Sequence, residues 1–198
     1  MTKSFSEMSL EELWQLFPII LKKHNSEYKE WYREEKKNLL AALPKKYIER
    51  INHIGSTAVP GLLAKPTVDI LLEISREAGI AKIEAELKNA GWTLMHRNED
   101  SQELNLVFNK GYTPHGFADK VFHLHLRYLD DWDELYFRDY LIAHPKIAEN
   151  YGALKKNLEA EYKNNRDGYT EAKTNFITKW TAEARKDFKN KYKINKKD

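Results

Sequence analysis

The segment PTVDILLEI, residues 66–74, constrains the fold more than any other part of the chain. It is short, β-branched and bounded by Pro66, which is the composition of a strand and not of a helix. Strand alternation places Asp69 on one face together with Leu71 and Glu73. A carboxylate in such a run is costly unless a cation, a donor network or solvent stands beside it. The question the sequence poses is what that partner is.

The residues just upstream suggest one answer. In HIGSTAVPGLLAK, residues 53–65, a Gly55–Ser56 turn follows the weakly alternating YIERINHI. Exposed backbone N–H groups and a hydroxyl at such a turn can hold an anion such as phosphate, although a glycine also serves any tight bend. Asp69 follows thirteen residues after Ser56, and Lys65 lies four residues before Asp69, within reach of a phosphate or simply solvated. A second constellation is His123–Leu124–His125, whose imidazoles share one strand face about 6.6 to 6.8 Å apart. The pair can share a metal or a phosphate, with Asp69 as third ligand, or can be half-buried polar residues. Arg127 shares that face and can close on an anion or pair with an acid. Lys173 falls on one helical face with Tyr169, Phe176 and Trp180, directed into a cleft or snorkelling past the rings.

The surrounding pattern is mixed. SLEE, residues 9–12, is a capping box that starts a short helix ended by Pro18, and PIILKKH after it reads as a short strand. EYKEWYREEKKNLLAAL carries aromatic and aliphatic residues at helical spacing after Asn25 or Ser26 as cap. A further helix through GIAKIEAELKNAG leads to three strand candidates, WTLMH, LNLVFN and VFHLHLRYL, with a glycine-containing loop over residues 109–120. From Asp131 onward the pattern reads as two or three helices, broken near Pro145 and Asn164.

The chain has 198 residues and no cysteine, which excludes a disulfide scaffold, a thiolate zinc site and a cysteine nucleophile. No apolar run approaches a signal peptide or a membrane span, so a soluble, cytoplasmic protein without membrane partners is expected. The net charge of +3 is concentrated in the last fifteen residues, ARKDFKNKYKINKKD, with seven basic and two acidic side chains. No broad basic face is left for nucleic acid, and the tail, residues 184–198, is expected to fray.

These residues carry a resemblance. HIGSTAVPGLLAKPTVDILLEI resembles the signature of the GrpB family of the nucleotidyltransferase superfamily, whose fold is like that of DNA polymerase beta. VFHLHLRY, ELYFRDYLIAHP, NRDGYTEAKTNFI and the early EWY are similar to the same family in the same order, over residues 19–182. The resemblance implies an α+β fold: a small mixed sheet flanked by helices over residues 19–130, then a helical part over 131–183, as one domain spanning 1–183. It also implies a turn, Gly55–Ser56 with Thr57, that holds phosphates, and a carboxylate, Asp69, that binds a divalent metal. Active members of the superfamily have a second carboxylate two residues further on, where this chain has Leu71.

Glu73 cannot replace it on the same ion, because four strand residues span about 13 Å while Mg²⁺–oxygen bonds are about 2.0 to 2.1 Å. With His123 and His125 at the place of the third carboxylate, an Asp-His-His set suits Zn²⁺, Mn²⁺ or Fe²⁺ better than Mg²⁺. Three functions are therefore expected as alternatives. They are nucleotidyl transfer with a divalent metal (Mg, Mn or Zn) and catalytic Asp69, His123 and His125; hydrolysis of a phosphate compound at that metal; and binding of a nucleotide or phosphorylated small molecule without turnover.

Overall fold

The computed structural model describes residues 5–99 and 103–194. Strands β1 (Ile48–Ile54), β2 (Thr67–Ile74), β3 (Thr93–Glu99), β4 (Leu104–Thr113) and β5 (Gly116–Tyr128) form one sheet in the order β1-β2-β5-β4-β3. β2 and β5 run parallel and the other neighbours antiparallel, so the mixed sheet and the α+β class are as expected.

Alternation along β2 and β5 divides the molecule into two halves. Val68, Ile70, Leu72 and Ile74 of β2, with Phe122, Leu124 and Leu126 of β5, face one side and join the main core. Helices α2 (Tyr28–Ala42) and α3 (Ile80–Asn89) cover that side through Tyr28, Leu39, Ile83 and Leu87, each at most 2% exposed. The opposite face carries Asp69, Leu71, Glu73, His123, His125 and Arg127. Over it stand α4 (Asp133–Ala143), α5 (Pro145–Glu161), α6 (Arg166–Glu171) and α7 (Thr174–Phe188). Leu71 meets Ile54 and Leu135 of α4 there, and α4 and α7 pack through Tyr136, Tyr140 and Ala184.

Local expectations hold in part. Ser9 and Glu12 form the reciprocal capping box of α1 (Leu10–Leu16). The cap expected for α2 at Asn25 or Ser26 does not form: the N-cap is Glu27 with no side-chain cap, and Asn25 only closes a turn by accepting the Glu27 N–H. Others need correction. PIILKKH is not a strand: Lys22 bridges only to Ala64, while Ile19 and Leu21 donate to the Lys163 carbonyl and the Glu159 carboxylate. Its backbone partners are a loop and the end of α5, so no ladder forms. The loop expected over 109–120 is a β-hairpin turning at Pro114–His115, with Thr113 paired to Gly116. Gly111, at φ 90°, lies where a Cβ would overlap the Lys120 carbonyl, so the bulge there requires glycine.

Two or three C-terminal helices were expected and four are observed, because Asn165 caps a separate α6 by accepting the Gly168 N–H. The basic tail does not fray from residue 184. Ala184 is fully buried, and Tyr192 bonds to Asp139 and Arg138. Residues 195–198 lie outside the described ones.

Glu73 is sealed in the sheet by Arg50, whose Nε and Nη2 donate to its two carboxylate oxygens at 2.5 and 2.6 Å. Glu73 is wholly buried and Arg50 also donates to the Asp130 carbonyl. Removing one partner of such a pair leaves an uncompensated buried charge and costs about 3–5 kcal/mol. Arg50→Met is expected to lower the melting temperature by about 10 °C, at about 2–4 °C per kcal/mol for a chain of this length, read by circular dichroism. A shift under about 2 °C would show that the Arg50–Glu73 pair does not carry the stability assigned to it.

Candidate functional site

A cleft of about 800 Å³ opens between the polar face of the sheet and helices α4–α7. One sheet row builds its floor: Ile54 at the end of β1 pairs with Asp69 of β2, which pairs with His123 of β5. The Gly55–Ser56 turn leaves β1 at that row, so the chain doubles back directly over the carboxylate. Gly55 has φ 69°, and a Cβ there would fall 2.9 Å from the Asp69 Cγ. Only a glycine combines that backbone conformation with that approach.

Gly55, Ser56, Lys65, Asp69, His123, His125, Arg127 and Lys173 all border the cleft. Thr57 does not: it is buried, its hydroxyl donating to the Thr67 carbonyl at 3.0 Å with His53 Nε2 also at 3.0 Å. Its hydroxyl holds the start of β2 to the turn and is not turned to the cleft. Arg127 pairs with Glu134 at 2.7 Å and lies 4.4 Å from the Trp132 ring centre, the acid-paired alternative of the sequence reading. Lys173 lies at the junction of α6 and α7, 4.2 Å from the Tyr169 ring centre. The single helical face expected for Tyr169, Lys173, Phe176 and Trp180 is thus divided between two helices.

Residues that the sequence did not single out complete the site. Lys155 of α5, 2% exposed, donates to Ser56 Oγ at 2.9 Å and to the Leu63 carbonyl. It ties the two ends of the Gly-Ser loop together. Arg166, at the start of α6, stands 3.4 Å from His123 Nε2, and Tyr112 of β4 places its hydroxyl 2.7 Å from the same nitrogen. Arg166 belongs to the NRDGYTEAK segment that carries the family resemblance, which was its available signal. Lys155 sits in an ordinary-looking amphipathic helix and had none.

Charge is unbalanced here. Seven Lys and Arg side chains line the cleft against four Asp and Glu. Arg127 is held by Glu134, Arg138 by Asp139, and Arg185 by Asp131 and Asp133. Lys65, Lys155, Lys173 and Arg166 have no ion pair to any acid among the described residues, and Lys65, Lys155 and Lys173 feel the Asp69 charge only at longer range. Burial, with repulsion from neighbouring cations, lowers Lys65 and Lys155 to about 7 and Lys173 to about 8. Burial opposes ionisation of Asp69, but the His123 hydrogen bond and the surrounding positive charge prevail and hold it at about 2. Burial also pushes the His123 and His125 imidazoles down.

The metal expected at Asp69, His123 and His125 can be tested against these donors. His123 Nδ1 lies 3.1 Å from Asp69 Oδ1, and its Nε2 faces the Tyr112 hydroxyl. A neutral imidazole donating to the carboxylate and accepting from the phenol has no lone pair left for an ion. His125 Nε2 stands 4.0 Å from Asp69 Oδ1. Leu71, at the second carboxylate position, is fully buried, and Glu73 is engaged by Arg50. Among the described residues no group of three His, Asp or Glu side chains is arranged to hold a metal ion. The residues present do not fit the divalent cation that the resemblance implied.

This architecture is a nucleotidyltransferase-like fold with a cationic cleft. Cid1 poly(U) polymerase in its MgGTP-bound form has the same fold at a TM-score of 0.50 and 13% identity, over 82% of this chain and 52% of that one. The conserved protein GrpB from Enterococcus faecalis is more similar, with TM-score 0.71 and 31% identity over 85% of this chain and 99% of that one.

The GrpB protein family matches residues 18–183, and the chain belongs to that family. The glutamate-rich protein GrpB of Alkalihalophilus pseudofirmus is 35% identical over 80% of this chain and 91% of its own length. UPF0157 protein YqkA of Bacillus subtilis is 31% identical over 85% of this chain, which spans only 48% of that relative. No helix among the described residues is long and apolar enough to cross a membrane.

The three depressed lysines set a pH dependence. The folded state loses their protons from about pH 7 to 8, whereas ordinary unfolded lysines hold theirs to about 10.4. The unfolded chain therefore binds more protons in that interval, and stability rises with pH. The denaturation midpoint in urea is expected to increase from pH 6.5 to 9, and to increase less in Lys155→Met. A midpoint that falls over this interval in both proteins would contradict the burial of these amines.

Proposed function

We propose that this protein binds a phosphorylated small molecule, a nucleotide being the class suggested by its fold, in the cleft over the Gly55–Ser56 turn. The reading rests on one observation: Lys65, Lys155, Lys173 and Arg166 converge on a cleft in which, among the described residues, Asp69 is the one lining acid not paired with an arginine. Bringing these cations together is costly in the empty protein, and the cost is recovered when an anion enters. The turn contributes backbone N–H groups and Ser56 a hydroxyl. Lys155 already holds the loop in place.

Asp69 has a different role in this reading from that of a metal ligand. It keeps the lysines from repelling one another apart in the absence of ligand, and it orients His123. The cations supply the positive charge that a divalent ion supplies elsewhere, so the reading is one of binding without two-metal nucleotidyl transfer. Leu71 offers no donor and His123 is engaged at both nitrogens, which supports binding over transfer at a carboxylate-held metal or hydrolysis at an Asp-His-His metal.

Thermal shift with ATP and with inorganic pyrophosphate tests the proposal. Ligand at about 100 times its dissociation constant stabilises a protein by about 2.7 kcal/mol, or several degrees here at about 2–4 °C per kcal/mol. The shift is expected to persist in EDTA, and to be lost in Ser56→Trp and Lys155→Met. For ATP it is also expected to shrink between pH 7 and 9, as Lys65, Lys155 and Lys173 lose protons while the terminal phosphate, with a last pKa of about 6, stays ionised. Abolition of the shift by EDTA, or metal-dependent release of pyrophosphate from ATP, would overturn the binding reading in favour of a metal-dependent enzyme.

Gly55→Ala provides a separate check on the turn. Its Cβ would displace the Asp69 carboxylate, and the left-handed backbone adds strain of about 1–3 kcal/mol. Both lower stability and loss of the pyrophosphate shift are expected, by denaturation and thermal shift respectively.

A further inference from the structure

A second cavity, of about 510 Å³, lies beside the first, and Lys65, Thr67 and Arg166 border both. Its lining differs in character. One aromatic cluster is Phe17, Tyr112 and Phe117, whose ring centres are 4.8 to 5.3 Å apart. Another is Tyr28 and Trp31, 5.3 Å apart. Phe117 and Ile20, both lining residues, remain 40% and 41% exposed, so the apolar surface at this opening is uncovered. The charged lining is Lys22, Lys23, Lys65 and Arg166 against Asp119. The volume lies within the range of about 300–1,000 Å³ usual for small-molecule sites.

From this lining we infer that the second cavity is a separate binding site for a planar aromatic ring bearing an anionic group. Aromatic walls favour a flat π-system by stacking or edge contact, and the excess of cations selects a negative substituent. The inference does not depend on what occupies the first cleft. Because Lys65 and Arg166 face both cavities, and Tyr112 links the aromatic wall to His123 by its hydroxyl, occupancy of one site changes the affinity of the other, and reciprocally. The molecule then holds two different ligands side by side, with Lys65 and Arg166 between them.

Two probes test the site, 4-hydroxybenzoate and adenosine 5′-monophosphate, which carry the same chemistry as an aromatic acid and as a nucleotide. Binding is read from quenching of tryptophan fluorescence, with Trp31→Phe identifying the reporting residue. At least one probe is expected to bind wild type and to bind Phe117→Ala about tenfold more weakly, and whichever binds names the source. Because Phe117 is exposed, that variant should fold normally by circular dichroism and keep the pyrophosphate thermal shift of wild type.

Probe binding at saturating pyrophosphate is expected to continue with an altered dissociation constant. If neither probe binds, if Phe117→Ala binds as well as wild type, or if pyrophosphate displaces the probe completely, the second site is overturned. Failure of pyrophosphate to bind wild type, with the probe still bound and sensitive to Phe117, would instead remove the phosphate reading alone.

Discussion

Everything at the centre of this protein depends on how one carboxylate is held. Asp69 sits in the sheet with the Gly55 backbone pressed against it, His123 donating to it, and the buried Lys155 and half-buried Lys65 and Lys173 lining the same cleft. Each of these neighbours depends on the others. Without the charge of Asp69 the cleft would carry more uncompensated positive charge, and without Gly55 the turn could not lie where Ser56 meets Lys155. Without His123, held in turn by Tyr112, the carboxylate would lose its direct hydrogen bond.

The sheet makes this arrangement possible through its two faces. The Val-Ile-Leu face of β2 and β5 forms the main core under α2 and α3, so the polar face can carry charge without leaving the fold short of apolar burial. The C-terminal helices then cover that polar face and supply Lys155, Arg166 and Lys173 from three places in the chain. Glu73 shows the alternative outcome on the same strand. Four residues beyond Asp69 it is closed off by a bidentate arginine and becomes a structural pair rather than part of the cleft.

The relation to nucleotidyltransferases is one of fold. The family resemblance implied a carboxylate at Asp69 and, in active members, a second one two residues further on. The second carboxylate position is a fully buried leucine packed against Ile54 and Leu135, and the Asp69-His123 pair is closed by hydrogen bonds and not open to an ion. Because more cationic than acidic side chains line the cleft, an anion is the useful probe of the proposed site.

The sequence alone was enough to determine β2, the Gly-Ser turn, the capping box of α1 and the alternation that puts Asp69, His123 and His125 on one face, because each rests on residues close together in the chain. It also carried the family, through segments preserved in order. It did not reveal that PIILKKH pairs with a loop, that Thr57 turns inward, or that Lys155 and Tyr112 belong to the site. Those depend on which surfaces meet after folding: a lysine in an amphipathic helix looks the same whether it ends in water or beside Ser56. The depressed pKa values and the second aromatic cavity likewise exist only where segments distant in sequence exclude water together, and that exclusion is a property of the tertiary structure.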